Sequence, residues 1–367
     1  MHAFRVSCPG ARARIDGVVR ASLSPRRRKE NETTVKPTPA ILLGTAAGLA
    51  LALAAPAAAQ DANDHDMAEY IEMFDPLPAL PPIPSGTTMS AERIDLGRML
   101  FFEPRISASG VISCATCHNP ALGWADRIPR ATGHDGQVGE RNTPTVLNSG
   151  FLDAQFWDGR EPDLEGQALG PIEAEVEMAM TLEQAIERLN EFEIYRDAFA
   201  AAFPGDDDPV NPPNVALAIA AFERTLNTPN SPFNRYLKGD EAAMDEQQER
   251  GMRLFVDNGC VACHNGPNLS DSMYHRFELP GSTDEGRFVV TGDERDRFAF
   301  RTPTLLNVAV TYPYFNNGSV DNLHDAVQLM GQQMLGQDFE QDELDDIVAF
   351  LHALTGEMPR IEIPALP

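Results

Sequence analysis

Two copies of one short pattern constrain this chain more than any other feature: Cys114-Ala-Thr-Cys117-His118 and Cys260-Val-Ala-Cys263-His264. Two thiols three residues apart, with a histidine directly after the second, are what covalent attachment of a c-type haem requires. The thiols add to the two vinyl groups of the porphyrin, and His118 or His264 is then held under the iron as its proximal ligand. A redox Cys-x-x-Cys or half of a zinc site would account for the thiols but not for the adjoining histidine in both copies. The expectation is a dihaem protein. The chain has 5 cysteines; with four taken by haem and Cys8 in a leader, none remains for a disulfide.

The length of 367 residues fits a leader plus two domains of roughly 150 residues each. Residues 1–60 read as a secretory signal peptide: a basic block at Arg26-Arg27-Arg28-Lys29, an apolar small-residue run from Ala40 to Ala55, and a small-residue cleavage site at Ala57-Ala58-Ala59. Cleavage is expected near Ala59/Gln60, with export to a Gram-negative periplasm. The rival reading, an uncleaved anchor, has against it a run that is short and alanine-rich for a span. Lys and Arg outnumber Asp and Glu in the leader, so residues 61–367 are more acidic than the whole-chain charge of −26 and contain a single lysine, Lys238. So acidic a surface argues against nucleic acid and anionic membranes as partners and is suited to steering a cationic electron carrier. No other stretch is long and apolar enough to span a membrane.

Residues 61–89 are polar and then proline-rich, which predicts a tail and extended lead-in rather than a core element. Ser90 caps a helix to about Phe102 with Ile94, Leu96, Met99 and Leu100 as candidate buried positions. Thr181 and Gln184 form a capping box for a helix through about Phe203. Pro213 opens another that ends near Asn227. Thr228-Pro229-Asn230-Ser231-Pro232 is the best domain boundary, separating 90–228 from 229–367. A helix at 245–257 delivers the second haem motif, and 268–298 reads as loops with at most short strands. Asp321 caps a helix carrying Leu323, Val327, Met330 and Met334. A last amphipathic helix covers 341–355, with Gly356 at its C-cap. The fold class expected is mainly α: two cytochrome-c-like haem domains related by internal duplication.

The duplication is visible in the sequence. Thr143-Pro-Thr-Val-Leu-Asn148 matches Thr302-Pro-Thr-Leu-Leu-Asn307, 159 residues on. At the same offset Phe156-Trp157-Asp158-Gly159 falls on Phe315-Asn316-Asn317-Gly318, and Pro171 falls opposite Met330. A methionine thioether opposite a proximal histidine raises a haem potential and closes the site, as electron transfer wants. Proline cannot ligate. The expectation is a high-potential electron-transfer haem at His264, ligated by Met330 with Met334 one turn on as the alternative, and a reaction haem at His118 whose iron is either open or bound by another group. Core packing on an apolar helix face is what periodicity alone would give Met330.

With these residues in hand, the chain resembles the bacterial dihaem cytochrome c peroxidases, with the methylamine-dehydrogenase maturation enzymes as cousins. The likeness runs from about Leu96 to Leu354. Its carriers are the two haem motifs, Arg141-Asn142-Thr-Pro-Thr, Gln155-Phe-Trp157-Asp-Gly-Arg160, Gly170-Pro-Ile172, Val176-Glu177-Met178, Arg301-Thr-Pro-Thr, Thr311-Tyr-Pro313-Tyr-Phe315 and Met330-Gly331. The resemblance implies His134 as a second, removable axial ligand of the low-potential haem. It implies Glu177 as the distal acid/base, with Gln167 beside it, and Trp157 between the haems. It also implies Arg301 near the haems, and Asn142, Thr311 and Pro313 as ligands of a calcium ion. The maturation enzymes carry a tyrosine where this chain has Met330. Where the peroxidases usually have a histidine after Tyr-Pro-Tyr-Phe, this chain has Asn316. Trp124, His65, His275, His324 and His352 are expected to be packing or surface residues, and Glu173 and Glu175 surface charges.

The function expected is reduction of hydrogen peroxide to water with electrons from a small cytochrome c or a cupredoxin, by an enzyme whose family suggests a homodimer. Two rivals stand beside it: a protein-modifying oxidase of the maturation type, and a dihaem electron-transfer protein without catalysis.

Overall fold

The protein is described by a computed structural model covering residues 66–367. The leader 1–60 with its cleavage site and Cys8, and His65 beyond it, lie outside the described residues. Helices dominate, and among the described residues no helix is long and apolar enough to cross a membrane.

Helices α1 (Met67–Ile71), α2 (Ala91–Phe101) and α3 (Cys114–Cys117) lead into the first half. It is completed by α4 (Leu164–Glu173), α5 (Leu182–Asn190), α6 (Glu193–Ala202) and α7 (Pro212–Glu223). Ser90 caps α2, its hydroxyl accepting from the Arg93 amide at 3.2 Å. Thr181 and Gln184 cap α5 reciprocally. The helix expected through Phe203 is in fact two: Phe192 is extended, which turns the chain so that its ring packs on the apolar core and stacks under Arg105. Asn211 caps α7, which starts at Pro212 and ends at Glu223.

The second half comprises α8 (Pro232–Leu237), α9 (Glu246–Asp257), α10 (Phe288–Thr291), α11 (Leu323–Met330) and α12 (Gln341–Ala353). Within 268–301 two short strands, β1 (Tyr274–Arg276) and β2 (Ala299–Arg301), pair antiparallel with Tyr274 opposite Arg301. Two details differ from expectation. Asn322, not Asp321, caps α11, because its Oδ1 accepts from the Asp325 amide at 2.8 Å. Leu354, not Gly356, is the C-cap of α12. Glycine is needed at 356 for another reason: a Cβ there would lie 2.4 Å from the Thr228 carbonyl oxygen.

Two apolar cores form. One is built on α2 to α7 around Leu100, Phe101, Trp124, Tyr195, Phe199 and Phe222; the other on α8, α9, α11 and α12 around Phe233, Phe255, Ile347 and Phe350. The lead-in is not merely a tail. Tyr70, Phe74 and Leu77 are buried in the second core, with Phe74 edge-on to Phe233 at 5.0 Å. Conversely, Met358 and Ile361 near the C-terminus pack on the first core. Apolar side chains scattered among prolines look like a linker in sequence, yet burying them is worth about 2 kcal/mol each.

The two halves use the same joints. Gly97 of α2 meets Ala218 of α7 so closely that a Cβ would sit 1.8 Å from its carbonyl oxygen, and Gly251 of α9 meets Asp346 of α12 at 1.9 Å. Asn148 and Asn307 both take left-handed backbone with φ of 59° and 63°. Their amides donate to the carbonyls of Leu226 and Leu354. Both side chains donate to one oxygen, Thr228 Oγ1, at 2.9 Å each.

Candidate active site

A cavity of about 710 Å³ lies in the first half, with Thr283, Asp284, Glu285 and Val289 of the second half completing its wall. Its wall includes Cys114, Cys117, His118, Trp157, Gln167 and Glu177. Pro171 in α4 is there too, so the position opposite Met330 in the repeat faces the cavity with a side chain that donates no electron pair. A short helix, two loops and α4 thus bring Cys114, Cys117, His118, Trp157, Gln167 and Glu177 together, whereas His134, Arg301 and Met330 are not in this wall.

The residues fit a covalently held haem. Cys114 and Cys117 are one turn apart on α3 and are free thiols. Burial pushes both thiols up, Cys117 to about 12. His118 is half-buried, its Nδ1 shielded from solvent without a hydrogen-bond partner, and desolvation pushes it down to about 4, so it is a neutral imidazole with a nitrogen to give. In the second half Cys260 and Cys263 are likewise free. His264, also pushed to about 4 by burial, places Nδ1 3.2 Å from the Leu269 carbonyl oxygen. That bond puts the proton on Nδ1 and leaves Nε2 for a metal. Arg301 is buried with no carboxylate partner among the described residues; its guanidinium donates to the carbonyls of Thr302 at 3.0 Å and Phe156 at 3.3 Å. Burial pulls it down to about 10. A buried cation paired only with carbonyls is a ready partner for a propionate.

Glu177 is raised above the usual carboxylate range by burial, against the pull of Arg160. Its loop is clamped to the loop carrying His134: the His134 amide donates to the Glu177 carbonyl at 2.8 Å. Gly133 permits this approach, since a Cβ there would meet the Val176 carbonyl oxygen at 2.1 Å. The His134 ring is partly exposed, 3.4 Å from the Asp135 carboxylate. The cavity wall contains Gly133 but not His134.

Trp157 ties the halves together. Its indole N–H donates to the Asn142 carbonyl at 2.9 Å, and its own carbonyl accepts from the Arg301 amide at 2.8 Å. The Asn142 amide in turn donates to the Asn316 carbonyl at 2.7 Å, which sets Asn142 beside the strip holding Thr311 and Pro313. Asn142 Nδ2 is occupied by the Ile128 carbonyl at 3.0 Å. Asn316 is buried and donates to Asp284 Oδ2 at 3.0 Å. Met330 ends α11 where the helix widens into a five-residue π turn, Gly331–Leu335, a local distortion common at ligand sites.

Two groups near the site escaped sequence reasoning. Arg141 holds Asp284 through two bonds of 2.8 Å and Asp158 through one of 2.6 Å; nothing in sequence paired residues so far apart. Glu223 lines the cavity, 3% exposed. Its signal was a lone carboxylate directly after the apolar run Val215–Phe222.

The di-haem cytochrome c peroxidase family model matches residues 91–242, and the cytochrome c model matches 248–355. The cytochrome c551 peroxidase of Pseudomonas aeruginosa is 47% identical over 327 residues, 87% of this chain and 94% of that protein. The chain belongs to the di-haem cytochrome c peroxidase family. The cytochrome c551 peroxidase of Nitrosomonas europaea is 45% identical over 78% of this chain and 86% of its own length. A crystal structure of a MauG-like protein associated with microbial copper homeostasis superposes with a TM-score of 0.70 at 28% identity, covering 78% of this chain and 94% of that one. The enzyme is a cytochrome c peroxidase, an oxidoreductase that acts on peroxide with a cytochrome as its kind of electron donor, and its family carries two c-type haems.

Proposed function

We propose that the two halves arose by duplication and divide the work of the peroxidase: peroxide is reduced in the cavity of the first, and electrons enter through the second. The observation that carries this is the cavity wall itself, where Glu177 and Gln167 face the Cys114-to-His118 motif and Pro171 stands where the other half has Met330. The recurrence of Asn148 as Asn307 and of Gly97 as Gly251 at equivalent joints supports the duplication.

Cys114, Cys117 and His118 would hold one haem, and Cys260, Cys263 and His264 the other, with Met330 completing the second and Arg301 at hand for a propionate. The haem supplies the redox-active iron at which the O–O bond is cleaved. Glu177 would take a proton from one peroxide oxygen and return it to the other, so that water leaves instead of hydroxide. The overall balance is H2O2 plus two electrons and two protons to two waters. Gln167 steadies the peroxide by hydrogen bonding, and Pro171 leaves the position open. Trp157, linked to both Asn142 and Arg301, shortens the electron path between the halves. His134 is a gate: its loop is fastened to the Glu177 loop by two hydrogen bonds, from the His134 amide to the Glu177 carbonyl and from Gln137 Nε2 to the Glu175 carbonyl, so a shift of one carries the other. Asn142, Thr311 and Pro313 would hold calcium through oxygens; Asn142 Oδ1 is the available side-chain acceptor once Nδ2 is engaged.

The cell site proposed is the periplasm, reached by the signal peptide 1–60, and the assembly a homodimer. The donor proposed is a small cytochrome c, in keeping with relatives named cytochrome c551 peroxidases, with a cupredoxin as the other candidate. Peroxide-dependent oxidation of reduced cytochrome c, followed on fully oxidised enzyme and on enzyme pre-reduced by one electron with calcium present, tests this division. Turnover only after pre-reduction is the expected result. Equal turnover in both states would remove His134 from the gate, and none in either would leave the residue assignments without support.

A further inference from the structure

Every residue of α7 from Asn214 to Glu223 except Leu217 is buried, and all but the first and last are apolar. Glu223 ends it inside the wall of the active-site cavity, 3% exposed, with Oε2 lacking any hydrogen-bond partner. Its charge is felt at Cys114, the first thiol of the motif. The cation next to it attracts its charge but gives it no hydrogen bond, because both terminal nitrogens of Arg224 are taken by the Glu165 carboxylate of α4, at 2.8 Å each, and that carboxylate in turn disfavours a charge on Glu223. The other neighbours of α7 offer no counter-charge. From α2 come Gly97 and Phe101, whose contacts with α7 are apolar or main-chain. The α2 arginines are engaged elsewhere, Arg98 with Asp95 and Arg93 over Phe203. From α5, Arg188 is turned to the carbonyls of Arg105 and Ser107.

In the second half the carboxylate whose charge is felt at the motif, Asp271, is not orphaned but paired with His275 at 2.8 Å. The bonds from Asn148 to Leu226 and from Asn307 to Leu354 align the two final helices. That alignment sets Glu223 against Leu351, which is 4% exposed. An unpaired buried carboxyl costs several kcal/mol if charged and is kept neutral instead when it can be. Burial raises Glu223 to about 8.

We propose that Glu223 is a proton-holding residue of the first haem cavity, taking up one proton when one electron arrives there and so making the potential of that haem depend on pH. This rests on the reading that Cys114 and Cys117 carry a haem in this cavity. The balance is simple: one electron from the cytochrome donor enters, one proton from solvent binds the carboxylate, and the charge of the cavity is unchanged. Reoxidation releases both. An added negative charge in a medium of low dielectric constant raises the affinity of a nearby carboxylate for a proton. Between the proton affinities of the two redox states the potential therefore falls as pH rises, by up to a tenfold change in the reduction equilibrium per pH unit, about 59 mV for one electron.

The test is a spectroscopic redox titration of the dihaem protein across neutral and alkaline pH, in the natural chain and in Glu223→Gln and Glu223→Leu. The expected result is a sloping potential for the first haem in the natural chain, and a flat one in both variants that lies above it at high pH and meets it at low pH. At each pH the second haem should keep in both variants the potential it has in the natural chain. A slope retained in the variants, or a flat potential in the natural chain, would overturn the proposal. Haem content measured on the same samples separates the two readings: fewer than two haems in the natural chain overturns the haem assignment, and the proposal with it. Should both variants fail to take up haem, the infrared difference between reduced and oxidised natural protein decides. A protonated-carboxyl band gained on reduction supports the proposal, and its absence overturns it.

Discussion

The two halves share their joints and differ in what they aim at the haem. In the first, His118 Nδ1 has no hydrogen-bond partner, Pro171 faces the cavity, and two carboxyls, the half-buried Glu177 and the buried Glu223, stand in the wall. In the second, His264 is oriented by the Leu269 carbonyl, and under the proposed duplication Met330 takes the place of the proline and Leu351 that of Glu223. The lesson is that a packing scaffold can be kept while reactivity is set by a few substitutions on its inner face. An electron-transfer centre is best closed and apolar; a peroxide-reducing one needs an open position and a group to move protons.

Four measurements would break or sharpen this contrast. The largest effect is expected at Glu177. Glu177→Gln should lower kcat by roughly 10² to 10⁴-fold, the usual worth of a general acid/base, with haem spectra undisturbed. Turnover near that of the natural enzyme would remove the acid/base role. Next, Met330→His should lower the high-potential couple by on the order of 0.2 V, a fraction of the roughly 0.8 V span that axial ligands command. The couple of the first haem should stay where it is; an unshifted high-potential couple would mean that Met334 or another group is the ligand.

The shared joints give smaller effects. Thr228→Val removes the one oxygen that accepts from both Asn148 and Asn307. Two buried donors then lose their partner at about 1–3 kcal/mol each, so a denaturant titration should show a loss of about 3 kcal/mol. A loss confined to one half would argue that the joints are not equivalent. Last, Gly97→Ala and Gly251→Ala should each destabilise by about 2 kcal/mol through overpacking, since a Cβ would lie 1.8 and 1.9 Å from a carbonyl oxygen. Unequal costs, read from thermal melts of the two variants, would show that one half tolerates separation of its helices better than the other.

Much of the site was legible because haem chemistry leaves local signatures. The two Cys-x-x-Cys-His motifs are contiguous, and Pro171 against Met330 follows from counting along a repeat. The caps at Ser90 and Thr181 were legible for the same reason, being decided within four residues. The break at Phe192 was not, because it depends on where that ring finds the core. Nor was the burial of Tyr70, Phe74 and Leu77, since a proline-rich run says nothing of the surface it will lie on.

The sequence by itself determined the cofactor chemistry, the helical class and the family, since each rests on residue types at fixed spacing. The tertiary structure alone decided which charges are left without partners. Glu223 and Glu165 are both carboxylates one residue or one helix away from Arg224, and only the packing of α4 on α7 gives the guanidinium to Glu165. Arg141 likewise reaches Asp158 and Asp284 across 17 and 143 residues of chain. Whether a charge is paired depends on distance and burial in space, and neither is a property of neighbours in sequence.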